Sequence, residues 1–285
     1  MADVNVYHND FENKWCPGCG NFGILNAVKK ALARQEIPPE KVLIVSGIGQ
    51  AAKTPHFMNC NFFYGLHGRA LPVATGALLA NHDLNVLVHM GDGDCYGEGG
   101  NHLLAALRRN LDVTLLVHDN RVYGLTKGQA SPTSAHGFTT SAQPFGTFSD
   151  AMNPLSLALS QGAGFIARGY CGEVDHLAGL IRAGMDYPGF AMIDIMQVCV
   201  TYNPVNTFSY YNERIRIIDE KSHPADDFHA AMHMAMQPEE DIPIGLIYQK
   251  ETRPFTRRIR TLSDGPLIAR NRDPSAMKAV LDELA

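Results

Sequence analysis

Asp92 and Asn120 stand twenty-eight positions apart, and each follows an apolar run short enough to be a buried strand. Leu84-Asn85-Val86-Leu87-Val88-His89 leads into Met90-Gly91-Asp92-Gly93-Asp94, and Val113-Thr114-Leu115-Leu116-Val117 leads into His118-Asp119-Asn120-Arg121-Val122. Two parallel strands ending in oxygen ligands are what a magnesium–diphosphate site needs, because ligands of open α/β sheets gather beyond the carboxyl ends of the strands. The carboxylate of Asp92, the side-chain oxygen of Asn120 and the carbonyl of Val122 would fill three positions on the ion. Gly91 and Gly93 let the backbone approach phosphate oxygens with no Cβ in the way. Gly-Asp-Gly alone is a common strand-to-turn device. The second segment, at this distance, makes it a site.

Four apolar runs read as buried parallel strands: Val42–Ser46, Val86–Met90, Val113–His118 and Phe190–Cys199. Helical stripes lie between them. Ile24, Leu25, Val28, Ala31 and Leu32 form one, Leu103, Leu104 and Leu107 another, and 156–162 and 176–185 read as later helices. Strands alternating with helices predict a doubly wound, mostly parallel α/β sheet. Polar and glycine-rich residues follow each strand: Gly47-Ile48-Gly49-Gln50 with Lys53, then Gly91–Asp94, then Asp119–Tyr123, then Cys199-Val200-Thr201. All four loops therefore converge on one site. After Asn203 the pattern weakens under Pro224, Pro238, Pro243 and Pro254, and Ile242–Tyr248 is a candidate last strand. Residues 1–204 are expected to form the ligand-binding domain. Residues 205–285 would be a C-terminal extension wrapping the body or a partner.

Net charge is −5, and basic residues are scattered apart from Arg253, Arg257, Arg258 and Arg260. That argues against nucleic acid as the main partner. No apolar stretch is long enough to span a bilayer and the N-terminus has no signal-like apolar region, so a soluble, cytoplasmic protein is expected. The six cysteines, at 16, 19, 60, 95, 171 and 199, are then not a disulfide framework. Cys95 and Cys171 read as packing. Trp15-Cys16-Pro17-Gly18-Cys19-Gly20 precedes the first helix, and two thiolates three residues apart can share a metal or an iron–sulfur cluster. Structural zinc and a redox dithiol are rival readings, although a thioredoxin-like pair would follow a strand and none precedes this one.

Together these segments resemble the β subunit of the 2-oxoacid:ferredoxin oxidoreductases, most of all the 2-oxoglutarate type. The resemblance runs from about residue 10 to 204. It is carried by Trp15–Gly20, Val45–Gly49 with Lys53, His67-Gly68-Arg69-Ala70, Ala74-Thr75-Gly76, Gly91–Asp94 with Gly99-Gly100-Asn101-His102, Asn120–Thr126, Gly128–Ser134 and Cys199-Val200-Thr201. It implies the thiamine-diphosphate-binding type of fold. It also implies oxidative decarboxylation of a 2-oxoacid to acyl-coenzyme A and carbon dioxide, or the reverse carboxylation, with electrons passing through an iron–sulfur cluster to ferredoxin. Asp92, Asn120 and Val122 would hold magnesium. Gly91, Gly93 and Asp94 would seat the diphosphate, with Gly49, Arg69, Tyr123, Gly124 and Thr126 also at the cofactor. Lys53, Leu125 and Lys127 would line the 2-oxoacid pocket and His67 would face the cofactor, a salt bridge or cap being the alternative for His67 and Arg69.

Cys16, Cys19 and Cys199 would be ligands of a [4Fe–4S] cluster. The family places a further cysteine directly after Gly-Ile-Gly, where this chain has Gln50. The cluster then has a remodelled fourth ligand, has three ligands, or is absent. Cys60 is the substitute expected from sequence, and a buried small residue is its alternative. The resemblance further implies an α subunit that supplies the rest of the site, in an (αβ)2 assembly. A non-redox thiamine-dependent decarboxylase or carboligase subunit, a zinc-stabilised scaffold, and pyruvate as substrate are the competing readings.

Overall fold

The computed structural model describes residues 3–270 and 275–284. Its strands are β1 (Val42–Ser46), β2 (Asn61–Tyr64), β3 (Asn85–Gly91), β4 (Thr114–Asp119), β5 (Val122–Tyr123), β6 (Gln129–Ala130), β7 (Phe165–Tyr170), β8 (Ala191–Met196), β9 (Ile215–Ile217) and β10 (Ile242–Gln249). The helices are α1 (Asn21–Arg34), α2 (Ala70–Ala80), α3 (Gly100–Arg109), α4 (Pro154–Ser160), α5 (Val174–Asp186), α6 (Phe208–Asn212), α7 (Phe228–Ala235) and α8 (Ser275–Leu284). Eight strands form one sheet in the order β2-β1-β3-β4-β8-β7-β10-β9, and β5 with β6 makes a separate small hairpin.

β2, β1, β3, β4, β8 and β7 run parallel, and β10 adds antiparallel to β7. Side chains alternate between the two faces, as a pleat demands. Ile44, Leu87, Leu116, Ile193 and Ala167 join one core with α1 and α5. Val45, Val88, Leu115, Met192 and Ile166 join the other, with α2, α3, α4 and α7. The expected doubly wound α/β architecture is therefore present. β8 is shorter than the expected Phe190–Cys199 run, because its pairing with β4 ends at Asp119↔Met196. That releases Gln197–Asn203 as a turn at the functional edge. β7 carries Arg168 and Gly169 inside its run, so it lacked an apolar pattern. Residues 205–285 contribute β9 and β10 to the sheet itself.

Two polar devices lock the fold. Asn110 ends α3 in the left-handed region (φ 55°), where asparagine is tolerated. Its Oδ1 accepts from Phe190 N at 3.0 Å, and its Nδ2 donates to Thr252 Oγ1 at 3.0 Å and to Arg253 O at 3.1 Å. One side chain thus ties a helix end to the entry of β8 and to the C-terminal segment. The second device crosses the sheet. His89 on β3 and His118 on β4 meet ring to ring at 3.0 Å, and His118 Nδ1 lies 2.8 Å from Asn21 Oδ1 at the start of α1. Both rings are fully enclosed, and burial holds both in the neutral form, His89 down to about 3 and His118 well below the usual range.

Asn110→Ala is expected to destabilise the fold by about 3 kcal/mol, from the strained left-handed backbone plus the unpaired Phe190 N–H; chemical denaturation measures it. The histidines give a pH dependence with a definite sign. The unfolded chain protonates them near pH 6.5 and the folded chain does not, so stability falls on acidification below 6.5. Each histidine contributes up to ~1.4 kcal/mol per pH unit. His89→Gln should remove one of the two contributions between pH 6.5 and 5, read from unfolding free energy against pH.

Candidate active site

The carboxyl ends of β1, β3, β4 and β8 share one edge, and the turns that leave them face one another. Asp92 opens a π-helical turn, Gly93–Glu98, a local widening that recurs at functional sites. Asp92 is buried at 2% exposure. Its Oδ2 accepts from the hydroxyls of Ser131 and Thr133, the latter at 2.8 Å. The same Thr133 Oγ1 lies 2.8 Å from Asp119 Oδ1. Threonine has one hydroxyl proton and here stands between two carboxylates, so it can donate to only one of them at a time. Burial is the first cause that raises the Asp92 carboxyl, and the Asp119 charge is the second. A divalent cation at Asp92 would relieve that crowding. Asn120, 8% exposed, holds Oδ1 in an Asx turn against Val122 N at 3.0 Å, and its carbonyl accepts from Asn203 Nδ2 at 3.0 Å.

Asp94 acts as a bracket between turns. Its Oδ1 accepts from Ile48 N at 3.2 Å and Gly68 N at 2.7 Å, and lies 2.7 Å from His67 Nδ1. It thereby fastens the β1 turn and the His67-Gly68 turn to the phosphate turn. Gly93 packs under the Tyr123 ring, where any Cβ would collide, and the Tyr123 hydroxyl donates to the Glu98 carboxylate at 3.2 Å. Ile48, Gly49, Gln50, His67, Gly91–Asp94, Asn120 and Val122–Thr126 line one cavity of about 70 Å³, the space of roughly two waters. It can receive a metal ion with part of a diphosphate; the rest of a cofactor must lie across its mouth. Leu125, 40% exposed, stands at that mouth. Lys53 and Lys127 are outside the lining, each next to or near a lining residue in the chain, and neither forms an ion pair among the described residues. Arg69 is not in the lining either: its guanidinium is turned to the His102 ring on α3.

Cys16 and Cys19 form the expected tight turn, Cys19 N donating to Cys16 O at 3.0 Å. Gly20 N donates to Val198 O at 3.0 Å, which brings the turn to the loop that carries Cys199. Burial pushes the Cys19 thiol up to about 11, and the neighbouring Cys199 and Cys16 add to the rise. Gln197 Nε2 lies 3.6 Å from Cys19 Sγ. Cys199 Sγ lies 3.7 Å from the position a Gly124 Cβ would take, so the thiol rests against the cofactor turn. Among the described residues no three His, Cys, Asp or Glu side chains close on a single metal ion; a cubane cluster needs its thiolates wider apart. Cys60 is not brought to this group. It precedes β2, whose Asn61 pairs with Leu43 at the amino end of β1, and the charges acting around it are those of Tyr7 and Lys29. The expectation of Cys60 as the substitute fails on strand register.

Sequence reading left Ser131, Thr133 and Glu98 without roles. Ser131 and Thr133 lay inside the run 128–134 that carried the resemblance, which was the signal available for them.

Two family models match the chain: the C-terminal TPP-binding domain of thiamine pyrophosphate enzymes over residues 44–195, and the C-terminal region of the pyruvate ferredoxin oxidoreductase β chain over residues 199–264. The β subunit of 2-oxoacid:ferredoxin oxidoreductase 1 from Aeropyrum pernix is 44% identical over 255 residues, covering 86% of this chain and 80% of that one. The 2-oxoglutarate oxidoreductase subunit KorB of Mycobacterium tuberculosis is 43% identical over 197 residues, covering 69% of this chain and 53% of its own. A solved 2-oxoglutarate:ferredoxin oxidoreductase from Magnetococcus marinus, with 2-oxoglutarate, coenzyme A and succinyl-CoA bound, superposes with a TM-score of 0.90 at 37% identity, covering 98% of this chain and 96% of that one. With the thiamine-type edge of the sheet and the paired Asp92 and Asn120 turns, these similarities place the chain in the 2-oxoacid:ferredoxin oxidoreductase family, as a β subunit.

Proposed function

We propose that this β subunit works on 2-oxoglutarate, binding thiamine diphosphate through magnesium at Asp92, Asn120 and Val122 and passing electrons to a cluster held by Cys16, Cys19 and Cys199. The observation that carries this reading is the approach of the Cys199 thiol to Gly124, which puts the thiol group against the cofactor turn. Bound thiamine diphosphate supplies the carbon nucleophile and the electron sink that decarboxylation of a 2-oxoacid requires. The chain's residues do the rest. Ser131 and Thr133 aim Asp92 at the ion, and Asp94 fixes the β1 turn and His67 beside it. Tyr123 covers Gly93 and keeps the phosphate turn closed.

Lys53 and Lys127 are two cations near the cavity lining without an ion pair among the described residues, which suits a substrate with two carboxylates better than one. Coenzyme A takes the acyl group, ferredoxin the electrons, and the reverse carboxylation uses the same parts. The small cavity supports a site completed by an α subunit, in an (αβ)2 assembly, and the exposed Phe145 and Phe148 beside residues 130–134 support contact with it. We assign residues 1–204 to cofactor binding and residues 205–285 to contact between subunits as well as to the sheet edge. No helix among the described residues is long and apolar enough to cross a membrane, and the six unpaired cysteines support a reducing, cytoplasmic setting.

The test uses the complex with its α partner, purified without oxygen and given 2-oxoacid, coenzyme A and a viologen. Succinyl-CoA with reduced viologen is expected from 2-oxoglutarate; an aldehyde without viologen reduction would favour a non-redox enzyme, the reading that Gln50 invites. Lys53→Ala and Lys127→Ala should each raise KM at least about tenfold for whichever carboxylate they hold. An effect on 2-oxoglutarate but not on pyruvate assigns the lysine to the distal carboxylate. Thr133→Val should weaken magnesium-dependent cofactor binding by roughly 10–100-fold while Thr133→Ser preserves it, as titrated by calorimetry.

A further inference from the structure

We infer that the iron–sulfur site is built from three thiolates and the amide oxygen of Gln50, which leaves one iron of the cluster weakly held. The inference rests on the cluster reading above and concerns its fourth position. Gln50 follows the Gly47-Ile48-Gly49 turn, and its carbonyl accepts from Trp15 Nε1 at 2.9 Å. Trp15 is the residue before Cys16, so the two turns are pinned side by side. The Gln50 side-chain Oε1 is sealed from solvent and has no hydrogen-bond partner. A buried acceptor without a donor is open to a positive partner. An iron ion is such a partner, and an amide oxygen can bind one as a neutral, hard ligand.

Three other thiols remain, and Cys95 is enclosed in the core beside Asp94 and Asp194. Cys60 lies level with Val42, four strand residues or roughly 13 Å from Ser46, and Gln50 is further beyond that edge. Cys171 is buried in the core at 3% exposure, its N–H held by Met196 O at 3.0 Å. Its Sγ packs against Gly20, 2.7 Å from where a Cβ would stand, on the first-turn side of α1.

Replacing a thiolate by a neutral oxygen makes the cluster one charge less negative, which raises its potential and weakens the grip on that iron. One-electron oxidation should then expel it: [4Fe–4S]2+ gives [3Fe–4S]+, Fe2+ and one electron, the electron going to ferricyanide. The bonds broken are those from the departing iron to Gln50 and to three cluster sulfides. The three cysteinyl–iron bonds stay.

The experiment takes the anaerobic αβ complex, counts iron and sulfide per β chain, and follows EPR through addition of one equivalent of ferricyanide. About four iron falling to about three, with a three-iron EPR signal reversed by Fe2+ and dithiothreitol, is expected. Gln50→Cys should keep all four irons through the same treatment, and Gln50→Leu should lose one without oxidant. Cys60→Ser should match the parent. A parent that keeps four irons under ferricyanide overturns the proposal, as does a Gln50→Leu variant that matches the parent while Cys171→Ser loses iron. A complex without iron, in the parent and in Gln50→Cys alike, overturns the cluster reading itself.

Discussion

Asp92 is enclosed with its carboxylate clamped by two hydroxyls, facing Asp119 and without an ion-pair partner of its own among the described residues. Burying a charge in that way is costly unless something neutralises it. The surrounding architecture is arranged around that debt. Ser131 and Thr133 arrive from the hairpin β5–β6 and its following turn, Asn120 from β4, and the π-helical turn from β3. Each would be an indifferent loop without the carboxylate at the centre. A cation that resolved the charge would also anchor a diphosphate, so the constraint on stability and the requirement of function would fall on one residue.

A second layer of order keeps the turns in place. Asp94 binds two backbone N–H groups from different turns and the His67 ring. The Gln197–Asn203 turn touches both the cysteine turn, through Val198 and Gly20, and the cofactor turn, through Asn203 and Asn120. The His118–Asn21 contact does the same beneath them, linking β4 to the first turn of α1. Displacement of one loop would therefore strain its neighbours. Precision of this kind suits chemistry that depends on fixed separation rather than on motion.

What could be read in advance follows from the range of each interaction. β1 was expected at Val42–Ser46 and lies there, because a continuous apolar run between turn residues is a local signal. The gathering of four strand ends at one edge followed from parallel topology alone. α2 was not read: Ala70–Ala80 is apolar without a stripe and holds Pro72 and Gly76. β7 was hidden by Arg168, a half-buried cation that feels the charges of Asp194 and Asp119 on other strands. Ser131 and Thr133 reach Asp92 across 39 and 41 residues, and no spacing rule announces such a contact. Cys60 looked near to Gln50 along the chain, but the register of β2 sends it to the opposite end of β1.

The order of strands also sets a timetable. β4 gains its second neighbour only when β8 arrives, some seventy residues later in synthesis, and Cys199 follows directly after. Cys16 and Cys19 leave the ribosome about 180 residues ahead of Cys199, an interval of roughly 10–40 s at ordinary rates of translation. During that time the Cys16-Xaa-Xaa-Cys19 turn is a bare dithiol on an unfinished sheet. An inorganic group held by all three thiols would have to be delivered after the central sheet has closed, so its insertion would wait on folding.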